Sequence, residues 1–431
     1  MSNFTNRIQS SIWTMGLQAS GYVLAFFSTW VLTQIMTPEG FGQFTVAVAI
    51  AGIVGLFALC GLDQAANRFV VEYRLNDEAA NANTFEWWVV RSTVIGSSVV
   101  AAIAAVIAFL VNREWLIASG FLSMLLGLPA LNYAMTCRGR LIARRRTIVG
   151  QVPEQIIRPL LLTTSALLAW YGLGNTITPF AAGTFVLAAC LGMAMWHVIV
   201  CRPYRGTRKS PPMTGIWYRV SIPLMISNGT FLLMNRTDLL LIAALIGDAS
   251  AGTYAVAVRI ASVLRLPLFA TQQVYSRDMV GAGRASRADS LAMAARRTCL
   301  IAGATSLFGF AAVLVMLPLV LRLFGPTYEA AMPVVWILGA THVLAAFMGP
   351  SGRLLGLNDG QTIMAALILT ATAVNFALGW ALIPYWGIVA AAAATGCSTL
   401  LWKLAAAVVI QRRFGFFMPF TLRVESKAGD S

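Results

Sequence analysis

Charge is scarce in this chain, and acidic charge is scarcest. Only 11% of its 431 residues are charged, with 16 Asp and Glu against 31 Lys and Arg. A soluble domain carries about 25% charged residues. A surface this poor in charge suits hydrocarbon better than water. A large water-soluble helical protein is thereby excluded. Histidine is nearly absent, with His197 and His342 the only 2, and both read as packing or interfacial residues. The 6 cysteines, Cys60, Cys137, Cys190, Cys201, Cys299 and Cys397, have no CxxC spacing. Neither a zinc site nor a redox motif follows from them. The patterns GxxxxGK(S/T), GxSxG and HExxH are also missing, so no soluble catalytic signature is present. Asp63 and Glu329 lack a second acid or histidine at a productive spacing and read as loop or interface charges. No catalytic residue, cofactor or metal ligand is expected. The amino terminus shows no convincing cleavage signal, because the first apolar run continues to Ile35. It reads as a retained helix.

What is present is apolar sequence in long runs, 58% of the chain being hydrophobic. A spanning helix needs about 20 mostly apolar residues, at about 1.5 Å rise per residue across about 30 Å. Reading the runs against charged breaks gives spans at Ile12–Ile35, Gly42–Cys60, Val89–Val111, Trp115–Thr136, Ile156–Trp170 and Thr178–Val200. A basic linker, Cys201–Arg219, follows. The second half adds Val220–Ile246, Gly252–Val274, Thr298–Leu323, Ala331–Met348, Thr362–Ile383 and Ile388–Ile410. The expected fold class is an all-α polytopic membrane protein of about 12 transmembrane helices. With the amino terminus inside, alternate loops carry 22 Lys and Arg on the inner side against Arg113 and Arg322 on the outer side. That asymmetry matches the positive-inside rule and places both termini in the cytoplasm. It also accounts for much of the net charge of +15 without nucleic acid, which is not an expected partner. The run from Arg138 to Arg146 is expected to meet anionic lipid headgroups, at roughly 1 kcal/mol per basic residue.

The two halves repeat at an offset of 210 residues. Gly42-Gln43-Phe44-Thr45-Val46-Ala47-Val48-Ala49-Ile50 falls on Gly252-Thr253-Tyr254-Ala255-Val256-Ala257-Val258-Arg259-Ile260. Ser11-Ile12 falls likewise on Ser221-Ile222. Two six-helix repeats with the same orientation are related by an axis along the membrane normal. The expected lobes are residues 1–201 and 202–431, the second ending in a short cytoplasmic tail.

Seven basic residues remain after the loop count: Arg91, Arg158, Arg219, Arg236, Arg259, Arg265 and Lys403. Asp238 is the acid that lies well inside a predicted span. A charge near the bilayer centre costs about 2.5–3.5 kcal/mol on the mildest scale, so such groups face protein or water. Arg236 and Asp238 read either as a substrate or coupling site or as an ionic contact that fixes helix packing. Asn228 and Asn235 add polarity to the same helix. Arg259 and Arg265 are expected to point to different sectors of one helix, Arg265 being the stronger cavity candidate. Arg158 and Arg91 are close to inner helix ends and are weaker candidates, while Arg219 and Lys403 read as interfacial. Basic groups outnumber the deep acid, so a cavity lined by them would attract phosphate or carboxylate. Pro223, Gly229, Pro267, Gly349 and Pro350 interrupt helices and read as hinges or as fixed bends.

Several stretches resemble the polysaccharide biosynthesis flippases of the multidrug/oligosaccharidyl-lipid/polysaccharide exporter superfamily. The first is Val31-Leu32-Thr33-Gln34-Ile35-Met36-Thr37-Pro38-Glu39-Gly40-Phe41-Gly42-Gln43-Phe44. Asp238-Leu239-Leu240-Leu241-Ile242 with Ala251-Gly252-Thr253-Tyr254-Ala255-Val256-Ala257 is similar to the start of that family's second lobe. Phe324-Gly325-Pro326-Thr327-Tyr328-Glu329-Ala330-Ala331 resembles its outer-loop pattern, and Asn375 followed by Leu382-Ile383-Pro384-Tyr385-Trp386-Gly387-Ile388-Val389-Ala390-Ala391-Ala392 a late one. The resemblance implies a V-shaped pair of lobes and alternating access. It implies a polyprenyl-pyrophosphate-linked oligosaccharide as cargo, flipped outward across a bacterial inner membrane for O-antigen, capsule or exopolysaccharide assembly. Bilayer lipids and polysaccharide polymerase or assembly proteins are the implied partners. Coupling to H+ or Na+ is left open. The alternatives are an ion-coupled exporter of small solutes and a membrane-bound ligase or polymerase.

Overall fold

A backbone in hydrocarbon must satisfy its own hydrogen bonds, and long apolar runs therefore form helices. The structure is a computed structural model that describes residues 2–174, 176–201, 210–275, 288–357, 360–416 and 418. Among the described residues every regular element is helical. The first half contains α1 (Ser2–Ile35), α2 (Pro38–Leu59), α3 (Leu62–Leu75), α4 (Ala79–Ala118), α5 (Phe121–Ala143), α6 (Thr147–Val152), α7 (Arg158–Leu173) and α8 (Pro179–Val200). The second half contains α9 (Thr214–Met234), α10 (Thr237–Ile246), α11 (Asp248–Ser262), α12 (Leu266–Tyr275), α13 (Ala288–Phe324), α14 (Met332–Phe347), α15 (Ser351–Leu357) and α16 (Gln361–Phe414). A π-helical turn, Pro153–Ile157, joins α6 to α7, and a 3-10 turn, Val263–Arg265, joins α11 to α12.

Among the described residues, eight helical segments are long and apolar enough to cross a membrane, and the pair α9–α10, bent by 44°, counts as a ninth when taken as one span. The chain is thus a multi-pass membrane protein. The twelve-span reading segments the chain more finely. α16 runs 54 residues through two predicted spans and breaks at Gly387, where φ is 59°. Each arm is long enough to cross alone. α5 and α7 fall outside the eight. The linker arginines of residues 202–209, Arg277, Arg284, Arg287 and the tail beyond residue 418 lie outside the described residues.

Local chemistry moves several predicted boundaries. α2 starts four residues early, because Thr37 Oγ1 accepts the Gly40 N–H (3.1 Å) and Pro38 takes the first helical position. Thr178 and Pro179 open α8 in the same way, with the Ala181 N–H 3.3 Å from Thr178 Oγ1. Trp115–Ala118 belongs to α4 and not to the next span. Asn112 breaks α4, its Oδ1 accepts the Trp115 N–H (2.9 Å), and Gly120 at φ 72° closes the turn before α5.

The predicted headgroup cluster at the end of α5 is also corrected. Glu86 of α4, 3% exposed, accepts from Arg140 (2.6 Å) and from Arg144, and Arg138 pairs with Glu154. Within that run Arg145 and Arg146 are the exposed pair. A buried guanidinium needs a carboxylate, and an acid 54 residues away supplies it.

α5 packs on α2, α3, α4 and α8, and α16 packs on α9, α10, α14 and α15. The halves meet where α1 touches α11, α12 and α13, where α2 touches α9, α10 and α11, and where α3 touches α9. At the end of the bundle remote from Glu86, Trp30 Nε1 donates to Leu323 O (2.9 Å) and Gln34 Nε2 to the same carbonyl (3.0 Å). The two repeat-equivalent glycines meet there. A Cβ on Gly252 would lie 3.1 Å from Gly42 N and 3.2 Å from Gly42 Cα. Repeat mates touch each other only where an approximate two-fold axis passes between them. At the Glu86 end, Trp217 of α9 lies fully buried among Phe85, Trp88 and Tyr73, its Nε1 donating to Tyr73 Oη (2.9 Å).

Candidate binding site

Three of the intramembrane arginines, Arg158, Arg236 and Arg259, come within electrostatic range of one another. Arg158 opens α7 directly after the π turn. Its neighbour Pro159 is held to α1, because Ser28 Oγ donates to Pro159 O (3.1 Å) and lies 2.5 Å from Thr163 Oγ1. The next residue of α1, Thr29, accepts at Oγ1 from Arg259 Nε (3.2 Å). Arg259 therefore joins α11 to α1. The Arg236 guanidinium lies within Coulombic range of Arg158 and of Arg259, and those two of each other.

Arg158, Arg236 and Arg265 each lie at a departure from regular α-helix. Arg236 is not inside a span, as the sequence suggests. It sits in the break between α9 and α10, at φ −126° and ψ −18°. From that break to the end of α10 is 10 residues, about 15 Å, or half of a 30 Å hydrocarbon layer. Arg259 lies at a similar depth in α11, whose start at Asp248 is earlier than predicted. Irregular backbone at such depth occurs where it is enclosed by protein or lines a polar space. The 3-10 turn has the same effect at Arg265. Six residues of continuous α-helix would turn Arg265 away from Arg259, and the 3-10 turn changes that phase; Tyr22 of α1 is in electrostatic range of both. Arg265 also stands over the Phe269 ring, 5.6 Å from its centroid, and has His342 and Lys403 in electrostatic range.

Asp238 is 6% exposed and does not pair with Arg236 in a direct salt bridge. One oxygen accepts from Tyr254 Oη and from Thr395 Oγ1 (3.1 Å), and the other from the Leu239 N–H (2.8 Å). Arg236 supplies longer-range attraction. The carboxylate thus ties α10 to α11 and α16. Thr237 bonds back to Leu233 O (2.7 Å), and Asn235 Nδ2 to Phe231 O (2.6 Å), which caps the end of α9. Asn228 is half-buried in α9.

Other candidates stand apart. Arg91 is exposed and covers the Trp87 ring at 5.2 Å. Pro223 is exposed in α9, whereas Gly229 is buried where a Cβ would meet Leu56 Cδ2 at 3.0 Å. Pro267 follows the 3-10 turn and its carbonyl accepts from Thr271 Oγ1 (2.9 Å). Gly349 has φ 71° and precedes buried Pro350. Lys403, read as interfacial, is corrected: it is 5% exposed and its Nζ donates to Gly349 O (2.7 Å). The sequence signals missed here are Tyr22, Thr29, Tyr254 and Thr395, hydroxyl residues on the three helices α1, α11 and α16. Only the fold brings them to the charges.

This architecture recurs in known transporters. An inward-facing multidrug-resistance transporter of the MATE family, in the MOP superfamily, superposes with TM-score 0.72 at 14% identity, over 92% of this chain and 94% of that one. An outward-facing MATE transporter gives TM-score 0.65 at 15% identity, over 95% of each chain. A MOP-superfamily transporter from Pyrococcus furiosus, described as having a binding pocket of reversed polarity that suggests a different function, gives 0.64 at 14% identity, over 95% of each. No curated protein matches the chain. The fold is therefore one that these transporters share. Residues 8–274 match the polysaccharide biosynthesis protein family, and the chain belongs to that family.

Proposed function

We propose that the protein is a flippase. It moves an anionic polyprenyl-pyrophosphate-linked oligosaccharide from the cytoplasmic to the outer leaflet of a bacterial inner membrane, for polysaccharide assembly. The observation that carries this reading is the group of Arg158, Arg236 and Arg259 at the junction of the halves, with Asp238 already engaged by hydroxyls. Guanidinium groups suit phosphate oxygens by charge and by paired donors. The diphosphate sits against them while the prenyl tail stays in the bilayer. The sugar then avoids hydrocarbon, where its hydroxyls would lose their partners.

The moving parts are two six-helix lobes, residues 1–201 and 202–431, arranged in a V and opening alternately to each side. Their termini are cytoplasmic. The Trp30, Gln34 and Gly42–Gly252 contacts form the closed outer end. Asp238, the acid beside Arg236, is the group through which an H+ or Na+ gradient acts. Polymerase or assembly proteins receive the product.

The test is the sidedness of the lipid-linked oligosaccharide after gene deletion, read with a membrane-impermeant sugar-cleaving probe. Repeat units trapped on the cytoplasmic leaflet, restored by wild type but not by inserted Arg236→Ala, support the reading. Normal arrival on the outer leaflet, with no second flippase in the cell, overturns it.

A further inference from the structure

The basic site has more positive charge than a diphosphate uses. A diphosphate diester keeps one ionised oxygen on each phosphoryl group. Arg158, Arg236 and Arg259, less the Asp238 carboxylate, leave a surplus that those two oxygens neutralise. Arg265 remains. It lies six residues beyond Arg259, roughly 9–12 Å along the chain axis at helical rises. Its electrostatic neighbours are Tyr22, His342 and Lys403, and no carboxylate among the described residues is one of them. Lys403 adds a second cation, itself held by a backbone carbonyl. A cation in low dielectric without a counter-ion is costly, and a bound anion removes that cost.

Arg265 also has the shape of a sugar contact. It stands over Phe269, which is 39% exposed and offers an apolar face beside the charge. Tyr22 of α1 is in electrostatic range of both Arg265 and Arg259. Resting on the flippase reading above, we propose that the flipped glycan is acidic: a carboxylate on one of its first sugars is taken by Arg265. The cargo class is then a uronate-bearing lipid-linked oligosaccharide.

Binding to the full-length protein in phosphatidylcholine nanodiscs, measured by calorimetry, tests this with three probes. They are a short-chain prenyl diphosphate, the same lipid bearing a neutral disaccharide, and the same lipid bearing a glucuronate-containing disaccharide. Wild type is expected to prefer the glucuronate probe by about tenfold or more, the scale of one charge-assisted hydrogen bond. Arg265→Gln is expected to erase that preference and keep its affinity for the plain prenyl diphosphate, which also shows that it folds. Arg265→Lys is expected to restore part of the preference. Equal affinity of wild type for the neutral and acidic probes overturns the proposal while leaving the flippase reading intact. Equal weakening of all three probes by Arg265→Gln overturns it too, because Arg265 then belongs to the diphosphate. Loss of the preference when phosphatidylglycerol is added to wild type assigns Arg265 to a headgroup phosphate, again against the proposal. Failure of wild type to bind any prenyl diphosphate removes the flippase reading itself.

Discussion

The contact between Gly42 and Gly252 can be tested by adding a single methyl group. Three glycines of the structure should respond in a fixed order. A Cβ on Gly52, in the middle of α2, meets nothing within 4 Å. Gly52→Ala should therefore gain up to about 1 kcal/mol of helix stability. A Cβ on Gly252 lies 3.0 Å from Pro38 O, which is 0.4 Å short of the ordinary contact limit of 3.4 Å. All of its near atoms are backbone, so the helices must yield slightly, and gain and cost should nearly cancel. A Cβ on Gly42 runs into the carbonyl of Asp248 and lies 3.2 Å from its Cα. Backbone has no rotamer by which to escape. The cost should reach or exceed the upper end of the roughly 1–3 kcal/mol seen for overpacking. The assay pairs a thermal midpoint in detergent with accessibility of Phe41→Cys in a cysteine-free background. Phe41 is 2% exposed and packs on Tyr328, 6.5 Å between ring centroids. Gly42→Ala should lower the midpoint and expose that cysteine to an impermeant thiol reagent. A Gly42→Ala protein that behaves like Gly52→Ala would refute the close crossing of α2 and α11.

Three further outcomes follow from the contacts described. Glu86→Ala leaves the buried Arg140 guanidinium without its acid and should cost about 3–5 kcal/mol, measured as a fall in midpoint and yield; replacing Arg140 and Arg144 by Met as well should recover much of the loss. Trp217→Phe removes the donor to Tyr73 Oη and should cost about 1 kcal/mol, whereas Trp217→Ala should cost about 3–5 kcal/mol through the cavity it leaves. Asp238→Asn keeps the side-chain shape and discards its charge. Transport in proteoliposomes should then stop responding to an imposed H+ or Na+ gradient, and an unchanged response would refute the coupling role of Asp238.

Much of the site could be read as residue type and little of it as arrangement. Arg158, Arg236, Arg259 and Arg265 were visible because charge is so rare in apolar runs. The internal repeat was visible because Gly42 and Gly252 hold their register, and their meeting gives that register a physical reason. The α9–α10 break was not visible, since Asn235-Arg236 contains neither proline nor glycine. Pro223 and Gly229 drew attention to α9 at other positions. The π turn before Arg158 and the 3-10 turn before Arg265 change helical phase, and phase arguments fail silently across such turns. Pairings were the least legible. No sequence signal singles out Glu86; α5 brings Arg140 and Arg144 against it. Lys403 looked interfacial because burial of its ammonium group depends on Gly349, 54 residues away.

The Glu86 triad has a consequence for how the protein is made. Orientation in the membrane is set as the chain is inserted, by Lys and Arg counts near the helix ends, and acids weigh little in that decision. Arg140 and Arg144 therefore act twice. On the nascent chain they count among the basic residues near helix ends that weigh on orientation. In the finished protein they are paired and withdrawn from the surface. The two roles separate by substitution: losing Glu86 spares the insertion signal and harms the finished packing, while losing the arginines removes a part of both.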